Sequence, residues 1–351
     1  MDKGAIMRHS TLAIATVVVF AVAPVVAQDI RGALPYRLYR TGTSKLLQKS
    51  ASPQDWALAS QLLESSADEA AASHERAALL RKAVRAAPTD RLVQWMWSNA
   101  SLQPTDCGTP SECKERPASS TRVEPDNAAA WLPVVDSAWH AKDAATVDDA
   151  LDHMAAAKRY EQLQGLAVAA WIDVYKRYPP PSLEALKALA PDDASLSMWH
   201  LVTIEASDTS QVSTSGLSET CNRSTNPKAS AAHFASCGKV ARLMLGHSDS
   251  IYARAIGFRV LRASGEATKA DQSAIREAAW QREQFAKVAP KGDSAEHDFV
   301  MDVAATGSEI EAMHNVLQHA QVPLNPPPTW QWTMNGQPVD MLHAPATVKV
   351  P

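Results

Sequence analysis

Few residues in this chain have the types and spacing to do chemistry. Glu311-Ala312-Met313-His314 sets a carboxylate and an imidazole three residues apart on one helical face, the spacing that holds a pair of iron ions in helical bundles. Such a centre needs a second Glu-x-x-His and two further carboxylates. The chain has no second motif of this kind, so a solvated helix face is the expectation. His140 and His153 stand where the two arms of one helical hairpin could bring them together, with Asp148 and Asp149 as nearby acids. Imidazoles without a fixed carboxylate partner are more often surface or satisfied core residues. Ser236-Cys237-Gly238-Lys239 offers a hydroxyl and an amine at the spacing of an acylated serine and its lysine, but the Lys-Thr-Gly that should accompany them is absent. Glu64-Ser65 could supply an acid for glycan cleavage, and the Gly-Leu-Met-Gln segment that should follow is missing. Gly-x-Ser-x-Gly, His-Glu-x-x-His, Cys-x-x-Cys-His and a phosphate-binding glycine loop are all absent. No catalytic, cofactor-binding or metal-ligating set follows from the residues.

The four cysteines point to structure. Cys107 and Cys113 bracket a Gly/Pro loop, and Cys221 and Cys237 flank the entry to a helical stretch. Neither pair has the two-residue spacing of a zinc or thioredoxin-type site, and four cysteines allow three pairings. In an oxidising compartment the two local pairs are expected as disulfides. Residues 1–27 predict such a compartment. Lys3 and Arg8 precede an apolar run from Leu12 to Val26, and Val25-Val26-Ala27 forms a small-residue cleavage site before Gln28. Cleavage would leave the chain one unit more acidic than its formal −4, with no basic block, which argues against a nucleic-acid partner. No later run is apolar enough to span a bilayer, so the expectation is a protein exported across the inner membrane to the periplasm.

The elements that would position these residues are helices. With 46% hydrophobic residues, abundant Ala, only 13 Gly and an aromatic content carried mostly by 10 Trp, the composition favours packed helices over sheet. Ala87-Pro88-Thr89-Asp90 and Glu124-Pro125-Asp126-Asn127 each stop one helix and cap the next. The device returns at Pro191-Asp192-Asp193, and more loosely at Pro290-Lys291-Gly292-Asp293. Residues 28–51 read as an N-terminal arm and 52–206 as a region of helical hairpins. Residues 207–226 read as a Ser/Thr-rich connector, 227–320 as a second helical region with one helix running from Asp293 to His319, and 321–351 as a tail. In that tail Trp330-Gln331-Trp332 alternates before Asn335-Gly336, which predicts a small β-hairpin or an extended arm.

The hairpin at 127–160 sets Trp131, Val134 and Leu151 near expected core positions, and Trp131 and Trp139, eight apart, share a face. In this it resembles a degenerate tetratricopeptide hairpin, without the small residue usual at Val135 or the Ala usual at Val147. The wording Glu124 to Trp131, behind an export signal, also resembles uncharacterised exported helical-repeat proteins of proteobacteria. The resemblance implies an all-α array of antiparallel hairpins, a solenoid, and brings no activity with it. A solenoid offers a continuous surface to a protein or peptide partner, with Trp330 and Trp332 as candidate anchors. The expected function is therefore binding or scaffolding, without a cofactor. The alternative is a hydrolase-type enzyme whose site is assembled from scattered residues.

Overall fold

The computed structural model describes residues 34–63, 69–100, 106–182, 184, 197–289, 293–334 and 337–338. Residues 1–27, Glu64-Ser65, Pro191-Asp192-Asp193 and the Asn335-Gly336 turn lie outside that set. The described chain is predominantly α-helical, and none of its helices is long and apolar enough to cross a membrane.

The first helix among the described residues, α1 (Leu34–Gln48), stands where an arm was expected. Its buried face is Tyr36, Arg40, Thr43, Ser44 and Leu47, a helical spacing hidden by its polar members. The Tyr36 hydroxyl donates to Glu205 Oε1 at 2.9 Å and lies 3.0 Å from the Tyr175 hydroxyl, while Arg40 pairs with Glu205. This buried network ties α1 to helices more than a hundred residues away.

α2 (Pro53–Leu62) starts where Ser52 Oγ accepts from Asp55 N, with Pro53 at the first helical position. α3 (Glu69–Ala86) is followed by α4 (Arg91–Asn99), capped as expected by Asp90 Oδ1, which accepts from Val93 N at 2.9 Å. After the short α5 (Pro110–Glu115) and α6 (Ser119–Val123) comes the second Pro junction. Here Asn127 Oδ1 accepts from Ala129 N at 3.1 Å and Glu161 N at 2.8 Å, and its Nδ2 donates to Glu161 O. Glu124 beside it is buried and paired with Arg91 and Arg159. The junction thus pins the start of one hairpin to its exit as well as capping a helix.

That hairpin is α7 (Leu132–Ala141) and α8 (Ala144–Ala156), turned at Lys142 (φ 57°) and capped by Asp143. Leu151 is fully buried, with Leu132, Val135, Val147 and Met154. Trp131 and Trp139, expected in the core, are only half-buried, because the inward face runs through Leu132, Val135 and Ala138, one position after Trp131 and one before Trp139.

α9 (Gln164–Arg177), α10 (Met198–Ser210), α11 (Ser215–Thr220), α12 (Ala231–His247), α13 (Ile251–Ala263) and α14 (Asp271–Val288) follow. The single helix expected over 293–319 is two, α15 (Asp293–Thr306) and α16 (Glu309–His319). Gly307 takes φ +78° between them and Ser308 Oγ caps α16 from Glu311 N, a stop and a start within two residues. Gly165 has its own reason: a Cβ there would sit 2.4 Å from Gly307 Cα, so its absence lets α9 close on α15.

Helices pack against one another in α2/α3, α7/α8, α9/α10 and α12/α13, and α9 also packs on α15 and α8 on α12. These long-range contacts fold the chain back on itself. Two core clusters result. One gathers Tyr36, Leu58, Trp171, Leu201, Phe285 and Met313; the other gathers Trp95, Leu132, Tyr160, Met244, Phe258 and Ile275. Each draws on both sides of residues 207–226. Those residues, expected as a connector, include the buried Thr209, Val212, Leu217 and Cys221 and are part of the packed body.

The pairs Cys107–Cys113 and Cys221–Cys237 are both disulfides, with Cα atoms 5.2 and 5.6 Å apart. At the C-terminal end, Thr333–Met334 and Gln337–Pro338 pair antiparallel over two residues each.

Candidate functional site

The residues singled out by type and spacing do not converge. His140 is exposed and faces Asp136 at 3.8 Å, while His153 lies flat on Trp131, ring centres 4.1 Å apart, with Asp149 at 3.8 Å. Asp148 is engaged elsewhere, 2.6 Å from Nδ1 of the buried His233. Ser236 donates to Asp152 Oδ1 at 2.8 Å and Lys239 is exposed, so the two form no nucleophile and base. Among the described residues, one group of three metal-type ligands gathers within 4.8 Å: Cys221, His233 and Cys237. Its two sulfurs are joined to each other, and His233 braces the bridge between Asp148 and the Thr220 carbonyl at 2.9 Å.

Glu311 and His314 part company as well. Glu311 is exposed, whereas His314 Nε2 meets Gln281 Oε1 at 3.0 Å, behind an apolar cleft between α13, α14 and α16. The cleft is walled by Ile251 and Phe258 of α13, Ile275 and Ala279 of α14, Met313 of α16 and the indole of Trp332. A cavity of about 50 Å³ lies within a depression of about 520 Å³ out to its mouth. With Trp332 in place there is room for a small group only.

Two guanidinium groups line this apolar space, Arg254 and Arg282. Burial holds both below the usual guanidinium range, opposed at Arg254 by the attraction of Glu277. Arg254 Nη1 donates to Gln281 Oε1 at 2.9 Å, and its Nε is buried without a hydrogen-bond partner. Burial, and next the charge of Arg254, depress His314. The cleft is thus apolar in most of its walls, with two guanidinium groups in its lining and Glu277 acting on one of them.

Beside the cleft the chain's own residues 322–332 are laid along α14, and of these Trp332 lines the cleft. Trp280 Nε1 donates to Pro323 O at 2.7 Å and Gln281 Nε2 to Leu324 O at 3.3 Å. The guanidinium of Arg276 reaches the carbonyls of Pro327, Pro328 (3.2 Å) and Trp330 (2.8 Å). Trp330 sets its edge against Trp280 with centroids 5.5 Å apart, and Trp332, 8% exposed, meets Phe258 at 6.5 Å. Trp330 and Trp332, the candidate partner anchors, are thus seated on the chain's own body. Three side chains of one helix hold five backbone carbonyls, which is how proline-rich extended segments are recognised.

Beside the cleft, where Tyr160 N donates to His247 O and Glu309 N to Asp249 O, lie two buried acids. Asp249 Oδ1 accepts from Gln162 N and Glu309 Oε2 from Ile251 N, both at 2.9 Å. Their other oxygens, and the Tyr160 hydroxyl, are buried without hydrogen-bond partners. Burial pushes both carboxyls up to about 7. Motif reasoning missed Asp249, Glu309, Arg254 and Arg282, since each stands alone in sequence. Arg254 and Arg282 on the apolar sides of their helices were the one legible sign.

Compared with known proteins, the chain matches no family model, no curated protein and no solved structure.

Proposed function

We propose that this is an exported, periplasmic binding or scaffolding protein that holds an extended segment of a partner chain on the face formed by α13, α14 and α16. The observation that supports this most is the capture of residues 322–332 through their carbonyls by Arg276, Trp280 and Gln281. Recognition of that kind reads backbone and proline geometry more than side-chain identity, so a segment from another chain can make the same bonds. The adjoining cleft adds an apolar socket of the kind in which aromatic anchors seat. The hairpin architecture implied by the tetratricopeptide resemblance serves the same end, and the two disulfides fit an oxidising compartment.

Titration of the full chain with a peptide copying residues 321–334 tests the reading. Binding should strengthen when Trp332→Ala loosens the internal segment, and should be lost in Trp280→Ala and Arg276→Ala. No binding to the Trp332→Ala chain, with its helix content intact, refutes the proposal.

The hydrolase alternative draws on one observation, the carboxyls of Asp249 and Glu309 poised near neutrality. Both are buried, 5% and 3% exposed, so a substrate would have to open the α16 start to reach them. Loss of cellular function in Glu309→Gln, with stability unchanged, would put that reading first.

A further inference from the structure

We propose that the Cys221–Cys237 bridge is the oxidised form of a zinc site, in which the two thiolates and the imidazole of His233 take one Zn2+ ion once the bridge is reduced. The site lies between α8, α11 and α12, apart from the peptide-holding face, and does not depend on that reading.

The donor set is the first ground. Cys221 directly follows α11, and Cys237 sits on α12 one turn beyond His233, so positions i and i+4 put imidazole and sulfur on one helix face. Helical metal sites use the same spacing. One ligand atom from each of the three residues lies within 4.8 Å of the other two, and all three residues are buried. Sulfur and imidazole nitrogen are the donors that zinc sites draw on, whereas magnesium and calcium take oxygen.

The second ground is a carboxylate that already orients the imidazole. Asp148 of α8 holds Nδ1 at 2.6 Å, the contact that fixes ring orientation and raises the basicity of a ligating histidine. That leaves Nε2 as the metal-binding nitrogen, and it faces the Thr220 carbonyl at 2.9 Å, in the peptide that leads into Cys221. The bridge itself makes little use of this arrangement, because sulfur is a weak acceptor. The third ground is charge. Two thiolates alone would bring two negative charges into the interior, and with one Zn2+ the sum is zero. Three protein ligands leave the fourth tetrahedral position to water, and Asp148, its side chain 56% exposed, marks the solvent side.

A dithiol attacks one sulfur of the bridge, passes two electrons to the pair and leaves as its own disulfide, so that Cys221 and Cys237 become thiols. Zn2+ then displaces one proton from each thiol to solvent, and the imidazole binds as the neutral ring with its single proton on Nδ1 facing Asp148. Oxidised, the bridge staples the end of α11 to α12; reduced, zinc clasps the same two elements.

The test uses the full chain carrying Cys107→Ser and Cys113→Ser, so that one cysteine pair remains, reduced with a phosphine that takes its oxygen from water and binds zinc weakly. Calorimetric titration should show one Zn2+ per chain with a dissociation constant of roughly 0.1 µM or below, and Co2+ should give the near-ultraviolet absorption of a cobalt–thiolate bond. The oxidised chain should show neither. His233→Ala should weaken zinc binding roughly 100-fold or more, and Asp148→Asn, which changes only the half-exposed group behind the ring, roughly 10- to 100-fold. No zinc uptake by the reduced chain overturns the assignment, as does an affinity unchanged in either variant. If reduction costs the chain its helix content, Zn2+ must bring it back, and failure to do so overturns the assignment as well.

Discussion

Asp249 and Glu309 each give one carboxylate oxygen to a backbone amide and keep the other buried without a partner, with the Tyr160 hydroxyl nearby in the same condition. Burial, more than any neighbour, raises both carboxyls from ordinary values of 3.8 and 4.5 to about 7. The folded chain therefore holds more protons than the unfolded chain across that interval, and stability falls as pH rises through it. Each group contributes a slope of up to about 1.4 kcal/mol per pH unit, and above pH 7 the dependence should level off. Asp271 acts in the opposite sense. Arg242 lowers it to about 2, so its contribution is lost only as pH falls below about 4. Thermal melts should thus be highest near pH 4 to 5 and lower at pH 8. Asp249→Asn with Glu309→Gln should flatten the fall, and an unchanged pH profile in that double variant would contradict the assignment. Tryptophans sort by the same logic of environment. Trp171 is fully buried with its Nε1 donating to Thr209 Oγ1 at 2.8 Å, and truncation to Ala should cost ~3 to 5 kcal/mol. Trp131, half-buried against His153, should cost about 1 kcal/mol, as read from denaturant unfolding.

At the level of elements, local chemistry was legible where one residue decides the outcome. Asp90, Asn127 and Ser52 cap as their positions in the sequence indicate, because a side-chain oxygen two or three residues from an orphan amide acts without tertiary help. The helix α1 was not legible. Its buried face depends on Arg40 and Ser44, which bury only because Glu205 and the Ala59 carbonyl receive them from distant segments. The break at Gly307 was missed for a related reason: Gly and Ser are tolerated within helices, and here the close approach of Gly165 makes the stop worthwhile. The cleft was legible only in the placing of Arg254 and Arg282 on the apolar sides of their helices, since its walls come from helices that no spacing connects. Both cysteine pairings were legible, the loops being short. On the chain-entropy model, Cys221→Ser with Cys237→Ser should cost about 3 kcal/mol, and the Cys107 and Cys113 equivalents about 2 kcal/mol, because the first bridge closes a separation of 16 residues and the second of 6. Equal losses in urea unfolding would show that strain or residual structure outweighs loop length.

For the molecule as a whole, the two core clusters interleave along the chain, so the last described residues complete a face begun by α12 and α13 and are not appended to a finished body. Trp332 belongs to the second cluster, and the segment leading to it is held by side chains of α14. A covering segment joined through carbonyl contacts from three side chains is poised for exchange with an equivalent segment, whereas the helices beneath it are fixed by both cores. Hydrogen exchange on the full chain, with and without saturating 321–334 peptide, tests this most directly. The account predicts faster exchange at the amides of residues 322–332, including Val322 and Trp330, which are now bonded to Leu317 O and Pro327 O, with α13, α14 and α16 unchanged or better protected. Protection confined to another face, or an internal segment whose exchange does not respond to the peptide, would contradict it.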